Sequence, residues 1–243
     1  MSRRGEWRAV GLGAGRRSMA MLAAIVLAGL AWLGWPVWGS LSSPTAAEAA
    51  GAAPVLLAAL TMALVLLAVA TWLDAGRDAG PVALALALLL VNAGLRVTVN
   101  PGASGVEIVH ALPLLAGAVA GAPAGFLVGA GGMLLSSALI DGVGAMLPGQ
   151  MLIFGLLGAL GGVLWRVRPL PAWLAALPLA MLAGPASGVL LNLTGWALQP
   201  GTTTTSFFPG LPPAAVAGRL WAYTVETSLW YDLTRGATTA LLV

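Results

Sequence analysis

Eight long apolar runs divide this chain, at roughly 18–38, 53–73, 81–99, 107–121, 123–140, 149–165, 171–197 and 215–243. A bilayer core about 30 Å thick takes about 20 apolar residues per helical crossing. Helices satisfy their backbone groups internally, so they are the form such runs take in lipid. Charge confirms the constraint. The 243 residues include 11 basic and 8 acidic ones, or 8% charged against 59% hydrophobic, whereas a soluble domain carries about 25% charged residues. Too few charges remain to coat a water-soluble surface, which excludes soluble enzymes and disordered chains. The fold class expected is all-α, a polytopic membrane helix bundle.

Runs one, two and six are the clearest. Ala122 and Pro123 alone separate runs four and five, which predicts a tight helical hairpin or one long broken segment. The last run is long and amphipathic, and its first turns can lie outside the membrane. Arginine placement predicts the orientation. Arg3, Arg4, Arg8, Arg16 and Arg17 precede run one, and Arg77, Arg166 and Arg168 fall on the same side. The loops near 39–52, 100–106, 141–148 and 198–213 contain no arginine. A multi-pass protein of the cell membrane with a cytoplasmic N-terminus is expected. Run one reads as a retained helix anchored by Trp32, Trp35 and Trp38, or as a signal sequence cleaved near Thr45–Ala50.

Chemistry narrows further. There is no cysteine, so disulfides, thiol nucleophiles, Cys-held zinc and iron–sulfur clusters are excluded. Every basic residue is arginine, and without lysine there is no Walker A motif and no Schiff base. The net charge of +3 gathers beside an apolar run, a membrane-orientation pattern instead of a nucleic-acid surface. One histidine makes a poor metal site, so no metal and no cofactor are expected.

Gly117, Gly121, Gly125 and Gly129 recur every fourth residue, and Gly155, Gly158 and Gly162 nearly so. That spacing predicts close helix packing. Polar residues inside the runs are few: Arg96, Glu107, His110, Gln150, Asn192, Glu226, Asp232 and Arg235. Ionisable groups in spans face the bundle interior or a water-filled cavity. Glu107 and His110, three apart, would share a helix face as proton carriers, ligand holders or surface residues. Asp232 and Arg235 can pair along one face, structurally or at the interface. The segment Gln199–Pro213, with four consecutive threonines, two phenylalanines and several prolines, suits an external lid or a connector. Trp196, Trp221, Tyr223 and Trp230 flank it.

Three stretches carry a family likeness. The first is Ala-Gly-Leu-Arg-Val (93–97) with Gly-Val-Glu-Ile-Val (105–109). The second is Ala-Gly-Ala-Pro-Ala-Gly-Phe-Leu-Val-Gly-Ala (120–130), running through Leu-Leu-Ser-Ser-Ala-Leu (134–139) and Leu-Pro-Gly-Gln-Met (147–151) to Gly-Leu-Leu-Gly-Ala-Leu-Gly-Gly (155–162). The third is Thr-Ser-Leu-Trp-Tyr-Asp-Leu-Thr-Arg-Gly (227–236). In this order they resemble the substrate-binding S component of energy-coupling factor (ECF) vitamin transporters, most nearly the corrinoid-type branch. The family's usual Gly-Pro-Trp-x-Pro-(aromatic)-Gln-Met turn reads Gly-Ala-Met-Leu-Pro-Gly-Gln-Met here (144–151), and the missing tryptophan leaves the cargo open.

The resemblance implies a basic N-terminus (1–17), two additional transmembrane helices (18–80) and a six-helix substrate-binding core (81–243). It implies a cup built by the loops 97–106, 141–149 and 198–213. It implies a transmembrane T component and two ABC ATPases as partners, met through small residues at Ala83 and Ala87, with the body tilting in the bilayer as the ATPases cycle. The residues expected to bind a vitamin-like substrate are Arg96, Glu107, His110, Gln150, Asn192 and Trp196. No chemistry of its own is expected, so the chain is read as not an enzyme. The alternative is a stand-alone proton-coupled secondary transporter relaying through Glu107, His110, Glu226 and Asp232. An intramembrane enzyme would need Glu107, His110 and Asp232 within hydrogen-bonding reach.

Overall fold

A computed structural model describes residues 14–38, 46–99, 109–140, 142–164, 167, 169–198 and 205–243. All of its regular elements among these are helical. They are α1 (Arg16–Leu33), followed by a single turn Trp35–Trp38, then α2 (Ala46–Asp74), α3 (Gly80–Thr98), α4 (Ala111–Ala120), α5 (Ala122–Ile140), α6 (Leu147–Gly161) with a 3₁₀ turn Gly162–Leu164, α7 (Pro169–Ala197), α8 (Pro213–Thr227) and α9 (Leu229–Leu242).

Six helical stretches are long and apolar enough to cross a membrane. These are α1 with its following turn, α2, α3, α5, α6 with its 3₁₀ turn, and α7. The architecture is that of a multi-pass membrane protein. Two of the eight expected runs differ. Run four yields only the 10 residues of α4, about 15 Å at 1.5 Å per residue, half a bilayer core. Run eight becomes two helices, and neither is among the six apolar spans.

The α5–α6 pair forms the centre, because glycine lets two backbones meet. A Cβ on Gly125 would strike the Gly158 carbonyl, one on Gly158 the Gly125 carbonyl, and one on Gly129 the Phe154 carbonyl. Gly117 of α4 faces the same Gly158 oxygen, and Gly161 faces the Leu114 carbonyl. The predicted small-residue stripe is therefore a packing seam, and it runs antiparallel. Gly121 does something else. Its φ of 92° forms the turn between α4 and α5, a conformation glycine adopts without a Cβ penalty.

The other helices wrap this seam. Gly131 and Gly132 of α5 receive Leu89 and Asn92 of α3, which runs parallel to α5. The α1–α2 pair is stapled at one end. The Ser18 amide and hydroxyl each donate to Asp74 Oδ2 at 2.8 Å, and the Arg17 amide donates to Asp74 Oδ1 at 3.4 Å. A carboxylate there meets the unsatisfied N–H groups that open α1.

α8 and α9 run antiparallel along α7. Ser228 joins them with φ −133° and ψ −16°, which breaks the helix. Asn192 of α7 clamps the break, its Nδ2 donating to Ser228 Oγ at 2.6 Å and Thr224 Oγ1 at 3.1 Å. One turn on, Gly184 and Gly188 of α7 form a notch filled by Asp232 and Gly236. Pro185 has no N–H to give the Met181 carbonyl, and that oxygen lies against Gly236.

Candidate functional site

Packing pairs fix which helix ends lie together. Leu89 meets Gly131 and Arg96 meets Ser136, while Gly129 meets Phe154 and Gly149 meets Thr194. The last turns of α3, α5 and α7 and the first turn of α6 therefore share one end of the bundle. The Asp74 staple lies at the other. Four of the six predicted site residues sit at this shared end: Arg96, Gln150, Asn192 and Trp196.

Arg96 turns inward between α3 and α5. Its Nη1 donates to Ser136 Oγ at 3.1 Å and Ser137 Oγ at 3.2 Å, and both serines are buried. The Ser136 hydroxyl donates in turn to the Gly132 carbonyl at 2.7 Å. One turn earlier on the same face, Asn92 is only 2% exposed, and its Oδ1 has no hydrogen-bond partner among the described residues. Leaving a buried acceptor unmet costs about 1–3 kcal/mol. Sequence reasoning missed Asn92, Ser136 and Ser137, although Asn92 and Arg96 stand at i, i+4, the spacing that puts two groups on one helix face.

Gln150 is half-buried on the first turn of α6. Asn192 holds the α8–α9 break. Trp196 is 2% exposed, and its indole N–H donates to the Thr205 carbonyl at 2.6 Å. It is a buried strut, not an interfacial belt residue, while Trp221 and Trp230 are exposed. Trp196 also holds Phe207, with ring centroids 5.4 Å apart at 74°.

His110 is placed elsewhere, at mid-bundle. It is fully buried beside Phe154 of α6, with centroids 4.7 Å apart, and its Nε2 lies 3.2 Å from Ser187 Oγ of α7. The Ser187 hydroxyl lies 2.8 Å from the Gly184 carbonyl, to which it can donate, and the His110 tautomer sets which group donates in the His110–Ser187 contact. Glu107 lies outside the described residues. The helical relation expected between Glu107 and His110 has no described support, because α4 begins at Ala111.

Asp232 and Arg235 form a buried ion pair, Nη1 to Oδ1 at 2.7 Å, with the guanidinium 4.6 Å from the Tyr231 ring centre. Asp232 of the pair fills the Gly184–Gly188 notch together with Gly236, and both charged side chains lie inside the bundle. Glu226 is exposed on α8. Ala83 and Ala87 are exposed on α3, together with Leu86 and Leu90.

Two apolar grooves lie apart from these residues. One of about 580 Å³ separates α2, at Ala53, Leu57 and Thr61, from Val143–Ala145. The other, about 180 Å³, lies between α1 and α2 above Leu152. None of the described site residues, Arg96, His110, Gln150, Asn192 and Trp196, lines either groove. Of the loops expected to wall the cup, residues 100–106, 141 and 199–204 lie outside the described ones. No set of three or more metal-ligating side chains occurs among the described residues. The shared end offers a cation, amides and hydroxyls, which suit binding. No protein-family model, curated protein or solved structure matches the chain.

Proposed function

We propose that this chain is the membrane-embedded substrate-binding subunit of an ATP-driven ECF-type importer for a vitamin or related micronutrient, with corrinoids the first class to test. The observation that carries the reading is the gathering of Arg96, Gln150, Asn192 and Trp196 at one end of a bundle whose spanning helices are mostly apolar. Polar side chains in lipid are costly, so they are retained where they hold one another or a cargo. The order of the three family-like stretches supports it, as does the outward face of Ala83, Leu86, Ala87 and Leu90, which suits close helix contact with a T component. In this reading the polar end faces outward from the cell, the N-terminus is cytoplasmic, and residues 81–243 hold the cargo without covalent chemistry. Two ABC ATPases and the T component supply the energy.

Co-expression with a T component and its ATPases tests this. The complex should co-purify and drive ATP-dependent uptake. A chain that joins no such module ends the proposal. Arg96→Ala should weaken cargo binding about tenfold or more, since a hydrogen bond to a charged group contributes about 1.5–3 kcal/mol.

A second reading draws on fully buried His110 and the buried Asp232–Arg235 pair at mid-bundle. These are groups a proton-coupled carrier would use. Uptake that survives ATP depletion and stops with a protonophore would favour it.

A further inference from the structure

The N-terminal helical pair reaches the candidate site at Trp35 and Val37, in the turn that follows α1. Trp35 meets Phe207 with ring centroids 5.4 Å apart at 82°. Phe207 belongs to the non-helical segment that leads into α8, and Trp196 of α7 holds its other side, also at 5.4 Å. Phe207 is 5% exposed, whereas its neighbours Phe208, Pro209 and Gly210 are exposed. Ala197, Val216 and Leu220 are buried in the same cluster, and Val37 and Tyr223 pack against it. One aromatic ring thus anchors a strap whose tip, Phe208–Gly210, is exposed while half-buried Leu211 packs on the same cluster, and the socket is built jointly by the N-terminal pair and the core.

The remaining ties are polar and lie on the core side. Trp196 Nε1 donates to the Thr205 carbonyl, Arg219 Nη1 donates to the Ser206 carbonyl at 3.1 Å, and the Arg219 guanidinium lies 5.4 Å from the Phe208 ring centre. Among the described residues outside 81–243, Trp35 and Val37 pack on the Phe207 cluster, and Trp35 makes the ring contact with Phe207. Edge-to-face aromatic pairs add directional attraction beyond area burial.

We propose that the N-terminal pair is a working part of the binding unit: Trp35 clasps Phe207 against Trp196 and holds the strap over residues 205–212 closed on the polar end. Withdrawing Phe207 from the Trp35–Trp196 socket opens it. That the strap covers a cargo rests on the transport reading; the clasp does not.

The chain contains no cysteine, so single reporters label cleanly. Ala197→Cys, fully buried in the socket cluster, reports the clasp. Ala130→Cys, fully buried in α5, reports the rest of the bundle. Maleimide labelling of the full chain in detergent is followed over time. In the parent both positions should be protected. Trp35→Ala and Phe207→Ala should each speed labelling at Ala197→Cys by about tenfold, the double change adding little because both break one contact. Ala130→Cys should stay protected throughout. Fast labelling in Phe207→Ala with parental labelling in Trp35→Ala overturns the proposal, since the core alone would then hold the strap. If Trp35→Ala exposes both reporters, Trp35→Leu decides: exposure of Ala197→Cys alone supports the clasp, and protection overturns it. An intact clasp in a chain that joins no importer leaves this inference standing and removes the transport reading. A chain that imports while its strap ignores Trp35 does the opposite.

Discussion

Two seams hold this bundle together, and they use glycine for opposite ends. Between α5 and α6, Gly125, Gly129 and Gly158 bring backbone against backbone, with nothing polar from side chains between them. Between α7 and α8–α9, Gly184, Gly188 and Gly236 also open space, but Asp232 occupies it. Asn192, Thr224, Ser228 and Arg235 continue that polar line. The first seam can form between two helices that are each apolar enough to insert alone. The second carries a helix pair that is not, with a break at Ser228 whose hydroxyl, like that of Thr224, accepts from the Asn192 amide. Rigid scaffold and polar, interrupted helix are thus built side by side from the same small residue, and Arg96, Gln150, Asn192 and Trp196 lie toward one end of the bundle they form.

The sharpest way to break this contrast is at the ion pair. Asp232→Ala leaves Arg235 charged and buried, and should destabilise the protein by about 3–5 kcal/mol. Replacing both residues with apolar ones of similar volume should recover most of it. Denaturant titration of the purified protein in micelles measures both. Next comes the scaffold. Gly158→Ala drives a methyl into the Gly125 carbonyl and should cost about 1–3 kcal/mol by the same titration, with no rescue from a second change. Asn192→Leu removes both donors from the helix break. A loss of about 1–3 kcal/mol is expected, together with faster hydrogen exchange in residues 224–232. Smallest is Gly94→Ala on α3, where a Cβ meets nothing within 4 Å. It should stay within about 0.5 kcal/mol of the parent, or gain slightly from helix propensity.

The scaffold was the more legible of the two seams. Four-residue glycine spacing predicted close packing because it depends only on helical period, and Gly125, Gly129 and Gly158 obey it. The same spacing misassigned Gly121, because a positive φ at a turn leaves no trace in periodicity. Hydropathy placed the spans of α1, α2, α3, α5, α6 and α7, yet overextended the fourth run. Averaged apolarity cannot sense that Val109 and His110 lie outside the helix α4. The break at Ser228 was equally hidden, since the Asn192 amide that bonds its hydroxyl lies 36 residues away in sequence. At the candidate site, Arg96, Asn192 and Trp196 were chosen for polarity or aromatic character within apolar runs, and that was enough to bring them to one end. His110 was chosen the same way and sits deeper, because polarity alone says nothing of depth. Asn92 and Phe207 were passed over as ordinary: an amide beside an arginine and a ring in a loop gain meaning only when the opposing helices are in register.

The claim on which the account turns is that the polar end holds a small-molecule cargo. Native mass spectrometry of the detergent-purified chain measures this directly. The account predicts a bound species, distinct from lipid, present on the parent and lost or greatly reduced in Arg96→Ala, while Gly94→Ala retains it. A parent that carries only lipid after expression in rich medium, or a cargo held equally well by Arg96→Ala and the parent, would contradict it.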